Sequence, residues 1–375
     1  MENGTQDITE KIQELSDLEL ACFLCFVAEQ HCCIVEADVH DLEAVVEELS
    51  LICRETFGLT AAILRCGPST TLDEFTQSIL VDDTLRPPNV DSDAVEPKDY
   101  LSVPGSGAAR HFKSPRPYSQ ELGGKIANIV IATSLNESSE QVQIQALELI
   151  RGRRIFSRKE VHKAPDNLLF IAVQVHGPKR LTLHLNDHIF ISHLHQSTDP
   201  LVHIGRAGEG DDDDIASDAG SLSSVIHTPP ITPIEASRSR TPHEGPFISN
   251  DDIQALVTRA AGVSMSPDVR AYIHDLVIFL RTHRAIAGGV SSIATRQLNL
   301  LSRVLAPFHG LTFTTPSLVA LAVRKIYPHR LVLVAPERER SLQWGSTLQA
   351  VKELLKGVAI DDVIEEVLSN VDTPL

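Results

Sequence analysis

Apolar positions along the first two hundred residues change period repeatedly, from helical spacing to short continuous runs and back. Ser16 and Glu19 form a Ser-x-x-Glu capping box ahead of an apolar run, which predicts a helix over 16–29. The run at 32–35 is short and uniformly apolar, as in a buried strand. Leu42, Val45, Val46, Leu49, Ile52 and Cys53 share one helical face, so a second helix starts near Asp41 and stops before Gly58. Further strands are expected at 60–64, 128–132, 154–158 and 168–175, and helices at 72–80 and 140–150. This alternation predicts an α/β sheet domain.

Two stretches lose all periodicity. Residues 84–120 are polar and Pro-rich and read as a flexible insertion. Residues 207–246 carry the acidic block Asp211 to Asp214 and the pairs Thr228-Pro229, Thr232-Pro233 and Thr241-Pro242. They read as a solvated spacer, with proline-directed phosphorylation as the functional alternative. Beyond 247 the pattern is helical to the end, with helices at 250–261, 267–283, 292–305, 316–326, 342–355 and 361–369. Four units result: an α/β domain at 1–206, the linker, an all-α domain at 247–335 and a helical extension at 336–375.

Composition narrows the function classes. A net charge of -17 disfavours sequence-independent nucleic-acid binding, which needs clustered Lys and Arg. No stretch reaches the roughly 18 apolar residues of a membrane span. The six cysteines all precede residue 67, unlike a secreted disulfide framework, so a reduced, cytoplasmic chain is expected, with the nucleus left open. Cys22 and Cys25 form a C-x-x-C inside an apolar helix, where small core residues are the plainer reading than a redox or metal pair.

Several segments carry a resemblance. Asn128 to Ala132, then Leu135-Asn136, then a helix with Gln143 and Glu148, resembles the Walker B region of the MoxR and magnesium-chelatase type of AAA+ ATPase. Arg153 to Arg158 looks like the hairpin that follows there, and Phe170 to Gln174 like the sensor-1 strand. Tyr272 to Val277, Gly288 to Ser291, His309 to Pro316 and His329-Arg330 look like the lid of that family. The likeness extends to a group of fungal proteins that carry the magnesium chelatase label. It implies an AAA+-like P-loop-type sheet domain followed by an all-α lid.

The nucleotide chemistry of that family is missing. A Walker A loop needs glycines for close approach to phosphate, a Lys and a Ser or Thr. No glycine occurs between Thr5 and Phe57, and no lysine between Ile12 and Pro97. The connection Ala37 to His40 is too short, and Glu36 and Asp38 would repel a triphosphate. By the resemblance, Thr133 and Ser134 replace the Walker B acids, Val175 the sensor-1 Asn, His188 the arginine finger and Ile293 the sensor-2 Arg. Arg296, one turn later, could make a residual contact. No cofactor is therefore expected; ATP with Mg²⁺ would enter only if the 37–40 connection folds differently. Ile79 to Asp83 mimics a Walker B strand but lacks what should follow it.

His184, His188, His193 and His195 form a second candidate site. Spacing of four on a helix, or two on a strand, puts imidazoles on one face and could hold zinc. Against this, 189–191 reads as a strand, so His184 and His188 need not share a helix, and structural or surface histidines are the plainer reading.

The leading expectation is a non-hydrolysing AAA+-like assembly subunit. Its partners would be copies of itself, an active AAA+ subunit or a protein with an integrin-type metal-binding domain, the last two being implied by the resemblance. The alternatives are an ATP-dependent magnesium chelatase, inserting Mg²⁺ into protoporphyrin IX, and a metal-handling protein built on the histidines.

Overall fold

The computed structural model describes residues 3–81, 125–156, 161–207 and 245–374. The 84–120 insertion, the acidic block and the three Thr-Pro pairs lie outside these residues.

Helix α1 (Asn3–Gln13) was not evident in the polar N-terminal sequence. Among its described side chains, Ile8 and Ile12, one turn apart, mark the buried face. Helix α2 (Asp17–Val27) begins at the expected capping box, Ser16 N–H donating to Glu19 at 2.7 Å and Glu19 N–H to the Ser16 hydroxyl at 3.3 Å. Strand β1 (Cys32–Ala37), helix α3 (Leu42–Glu55) and strand β2 (Ala61–Arg65) follow. Helix α4 (Leu72–Ser78) leads into β3 (Leu80–Val81), which pairs antiparallel with β4 (Lys125–Ile126) across the undescribed insertion. Then come β5 (Ile129–Thr133), α5 (Glu140–Gly152) and the antiparallel hairpin of β6 (Arg154–Phe156) and β7 (Val161–Lys163). Strand β8 (Leu169–Val175), helix α6 (Leu183–His188), strand β9 (Ile191–Leu194) and helix α7 (Val202–Ala207) complete the first half.

The central sheet has the order β2-β5-β8-β1-β9 and is parallel throughout. Its strands read as continuous apolar runs because both faces are covered. One face, including Ile34, Val130 and Phe170, packs on α4 and α5 residues such as Phe75 and Val142. The other, including Val35, Ile131 and Ile171, joins a larger core that reaches into the second half of the chain. Helix α2 carries that continuity. It is apolar almost all round, and its Phe23 packs on Phe308 with ring centroids 5.2 Å apart. Cys22 and Cys25 are both buried in it as free thiols, and burial, the largest influence, pushes both pKa values up. They are core residues.

The second half contains α8 (Asn250–Ala261), α9 (Pro267–Thr282), β10 (Ile286–Gly288), α10 (Ser292–Phe308), α11 (Pro316–Ile326) and β11 (Val332–Leu333). It is not purely helical as expected: β10 and β11 pair antiparallel. Two and three residues are too few for an alternating pattern to register in sequence. Gly289, φ +104°, explains the close approach, since a Cβ there would lie 2.1 Å from the Arg330 carbonyl oxygen. The helix expected over 342–355 is interrupted at Gly345, φ +92°, leaving a 3₁₀ turn and α12 (Leu348–Leu355). Helix α13 (Ile360–Asn370) packs back onto the lid through Val363, Ile364 and Val367.

The joint between sheet and lid is polar and dry. The Arg330 guanidinium, 2% exposed, donates to the carbonyls of Ile326, Phe190, Asp187 and Ile189 and to the Gln297 side chain. Its carboxylate neighbour is Asp187, 3.8 Å away. From the sheet side, Arg180 donates to the carbonyls of His329 and Leu331, Asn186 to that of His329, and the Ser192 hydroxyl to that of Lys325. Helix α7 is pinned separately. Glu48, buried on α3, accepts the His203 and Ile204 N–H groups, and the His203 ring lies 3.2 Å from Glu19 and 3.1 Å from Glu55.

Two stability predictions follow from these contacts. Arg330→Ala should cost about 3–5 kcal/mol in urea unfolding, because buried carbonyls and Asp187 lose their partner. Gly289→Ala should cost at least about 2 kcal/mol, combining a left-handed φ with a backbone clash. A third concerns pH. Burial lowers the His203 pKa, but Glu19, Glu55 and Glu48 outweigh it and the net direction is up. The ion pair therefore contributes fully below the unfolded value of about 6.5 and is lost as pH rises through the folded value. The stability difference between wild type and His203→Gln should shrink on going from mildly acidic to alkaline pH. A difference that grows instead would contradict this wiring.

Candidate functional site

In a parallel α/β sheet, ligands bind beyond the carboxyl ends of the strands. Here that edge brings together Ala37, Thr133 and Val175, at the ends of the adjacent strands β1, β5 and β8. Where a phosphate loop would stand, Asp38 to Asp41 form one tight turn, the Asp41 N–H donating to the Asp38 carbonyl at 3.1 Å. Ala37 is fully buried, and its carbonyl accepts the His176 N–H at 3.0 Å. The connection between β1 and α3 is thus a single short turn closed on its own backbone.

The side chains around the turn are mainly acidic. Glu36 accepts a hydrogen bond from Gln174 at 2.9 Å and pairs with His176 at 2.8 Å. Asp41 accepts the Ser197 hydroxyl, and Asp38 lies 3.5 Å from the same oxygen. Asp361, at the start of α13, is close enough for its carboxylate to feel His176 and Glu36. The arginine whose charge reaches Glu36 is Arg180, already committed to carbonyls at 329 and 331. At the Walker B position the Thr133 hydroxyl donates into the sheet, to the Leu64 carbonyl. Ser134 adopts φ +51° and donates its N–H to the Val173 carbonyl at 2.8 Å. Neither residue offers a carboxylate to a magnesium ion.

His188, Ile293 and Arg296 do not join this edge. The Cys32 thiol donates to the His188 carbonyl at 3.0 Å, which puts the end of α6 where β1 begins. Gln297, next to Arg296 on α10, donates to Gln30 at 3.4 Å, also ahead of β1. With about 3.3 Å of rise per residue, that is on the order of 20 Å from Ala37. The exposed Arg296 and half-buried Ile293 therefore stand too far away to touch a ligand bound beside Ala37 in the same chain. A cleft of about 450 Å³ lies between α6 and the lid, lined by Leu183, Asp187, Arg281, Gly288 and Ser291 among others. Within it Asp187 accepts the Ser291 hydroxyl and Arg281 donates to the Val290 carbonyl.

The histidine cluster is divided by the fold. His184 and His188 do share helix α6, so the strand expected over 189–191 does not part them; it begins only at Ile191. His188 Nδ1 is 3.0 Å from the His184 carbonyl oxygen, a local bond within the helix. His193 and His195 lie toward the opposite end of the sheet, beside Val35 and Glu36 of β1. The four residues do not form one site. Instead His193, His195 and Asp199 converge, with ligand atoms within 4.8 Å of one another. Asp199 was missed in the sequence, although His195 and Asp199 stand four apart. His193 is buried, and its pKa is driven well down by burial and then by Lys325. Burial likewise pushes the Lys325 pKa down to about 8, against Asp17 and Asp199, which raise it.

Comparison with known proteins agrees with this architecture. Residues 278–351 match the AAA lid domain family. The solved structure of a "putative ATPase" from Cytophaga hutchinsonii superposes with a TM-score of 0.61 at 13% identity, covering 100% of this chain and 96% of that one. The fold is therefore a parallel α/β domain carrying an AAA lid, as in AAA+ ATPases. "Maintenance of telomere capping protein 2" of Saccharomyces cerevisiae is 38% identical over 102 residues, which is 26% of this chain and 29% of the yeast protein. The protein of that name from Kluyveromyces lactis is 34% identical over 98 residues, 25% of this chain and 36% of its own length. Among the described residues no helix is long and apolar enough to cross a membrane.

Proposed function

We propose that this chain, which has the AAA+ fold and an AAA lid, works as a non-hydrolysing assembly subunit of the MoxR and magnesium-chelatase type. The observation that carries the reading is the turn after β1, where Glu36, Asp38 and Asp41 occupy the place of a phosphate loop. A triphosphate brought there would meet carboxylates at short range and no lysine from the turn, so Coulomb repulsion opposes binding. Thr133 and Ser134 add no carboxylate ligand and no general base. An ATP-dependent magnesium chelatase, the activity the resemblance implies, would need the very groups that are replaced.

Assembly is supported by the surface. Trp344 is 87% exposed, and Val332, Leu333 and Phe279 of the lid are also exposed. Exposed apolar side chains that gather into one patch mark protein contacts, and on this reading these residues contribute to such a patch. The partners that fit this reading are further copies of the chain, an active AAA+ subunit, or a protein with an integrin-type metal-binding domain.

Two measurements test it. Calorimetry with Mg-ATP on the full chain should give no binding tighter than about 1 mM. Mg²⁺-dependent micromolar binding would sink the proposal. Light scattering should give a mass above the 41.0 kDa protomer for the chain alone or with its partner, reduced by Trp344→Ala. A strictly monomeric chain that also captures no AAA+ subunit would remove the assembly role.

A further inference from the structure

We propose that His193, His195 and Asp199 form a binding site for a divalent transition-metal ion of the zinc class. Strand β9 supplies the first two ligands. Residues two apart on a strand face the same way, and the ladder continues past β9, since the His195 N–H donates to the Glu36 carbonyl at 2.8 Å. The chain then turns. The Gln196 N–H donates to Asp199 at 2.9 Å, which aims that carboxylate back at His195, 3.8 Å away.

Three donors within 4.8 Å of one another can close onto a single ion with small side-chain rotations, zinc–nitrogen and zinc–oxygen bonds being about 2.0–2.2 Å. Two imidazoles and a carboxylate are the donor set of zinc and its neighbours in the first transition row rather than of magnesium or calcium. The second observation is His193 itself. It is 1% exposed, and neither ring nitrogen has a hydrogen-bond partner among the described residues. Each such orphan costs about 1–3 kcal/mol in a dry interior. Coordination would relieve the nitrogen that faces the cluster.

Lys325 is the feature that opposes a cation, because its buried ammonium lies against His193. Asp17 and Asp199 bear on the same ammonium with opposite charge and partly offset it. Lys325 therefore tunes the affinity downwards without closing the site. The ion would tie the 195–199 turn to β9, and with it Ser197, which bonds to Asp41 across the edge of the sheet. Nucleotide binding has no bearing on this geometry.

The test is a cobalt(II) titration of the untagged full-length chain, followed by its visible absorption, with zinc competition. Wild type should bind about one equivalent with the intense bands of a four-coordinate site. His195→Ala and Asp199→Asn should each weaken binding by at least about tenfold. The double variant His184→Ala/His188→Ala should bind as wild type, and Lys325→Met should bind more tightly. Asp199→Asn, nearly isosteric, keeps the test readable if His195→Ala fails to fold. Absence of saturable cobalt binding by the wild type overturns the proposal. So does binding that survives Asp199→Asn unchanged or is lost in the His184/His188 double variant.

Discussion

The relation between sheet and lid depends on one buried guanidinium. Arg330 leaves water and is matched mainly by backbone carbonyls, from the end of α11 and from the approach to β9. A guanidinium presents five N–H donors in a fixed plane, so it sets orientation as well as distance. Around it Arg180, Asn186 and Ser192 take the remaining carbonyls of the α11 terminus. With α2 filling the space beside this joint, sheet and lid share one apolar core. A rotation of the lid would have to break several desolvated hydrogen bonds at once.

The acidic edge at the carboxyl ends of the strands is wired separately from that joint. Glu36, Gln174 and His176 satisfy one another there, and Ser197 satisfies Asp41. These pairings give the polar side chains of Glu36, Gln174, His176 and Asp41 protein partners of their own. The framework of a fold and the chemistry of its site are separable, and it is the framework that the lid and the sheet order identify here.

The histidines show the opposite behaviour. Four imidazoles within twelve residues look like one cluster in the sequence. The fold sends two to one end of the sheet and two to the other, because a helix turns back between β8 and β9. It also recruits an aspartate from the following turn and sets a lysine from α11 against the pair. The lysine comes from 130 residues away, and nothing local announces it.

What the sequence determined by itself was whatever depends on short range. Helix starts were legible because Ser16, Ser249 and Thr315 cap through bonds three residues apart. Buried strands were legible because continuous apolar runs have few alternatives. The lack of lysine and glycine around residues 37–40 was legible because a residue's absence needs no coordinates. Tertiary structure alone decided the features whose partners are remote: α1, with its two apolar residues, the β10–β11 pair, and the distance of Arg296 from Ala37. The reason is common to all three. A weak local preference becomes definite only when packing against a distant segment supplies the buried area or the hydrogen-bond partner, and sequence spacing does not encode which distant segment that will be.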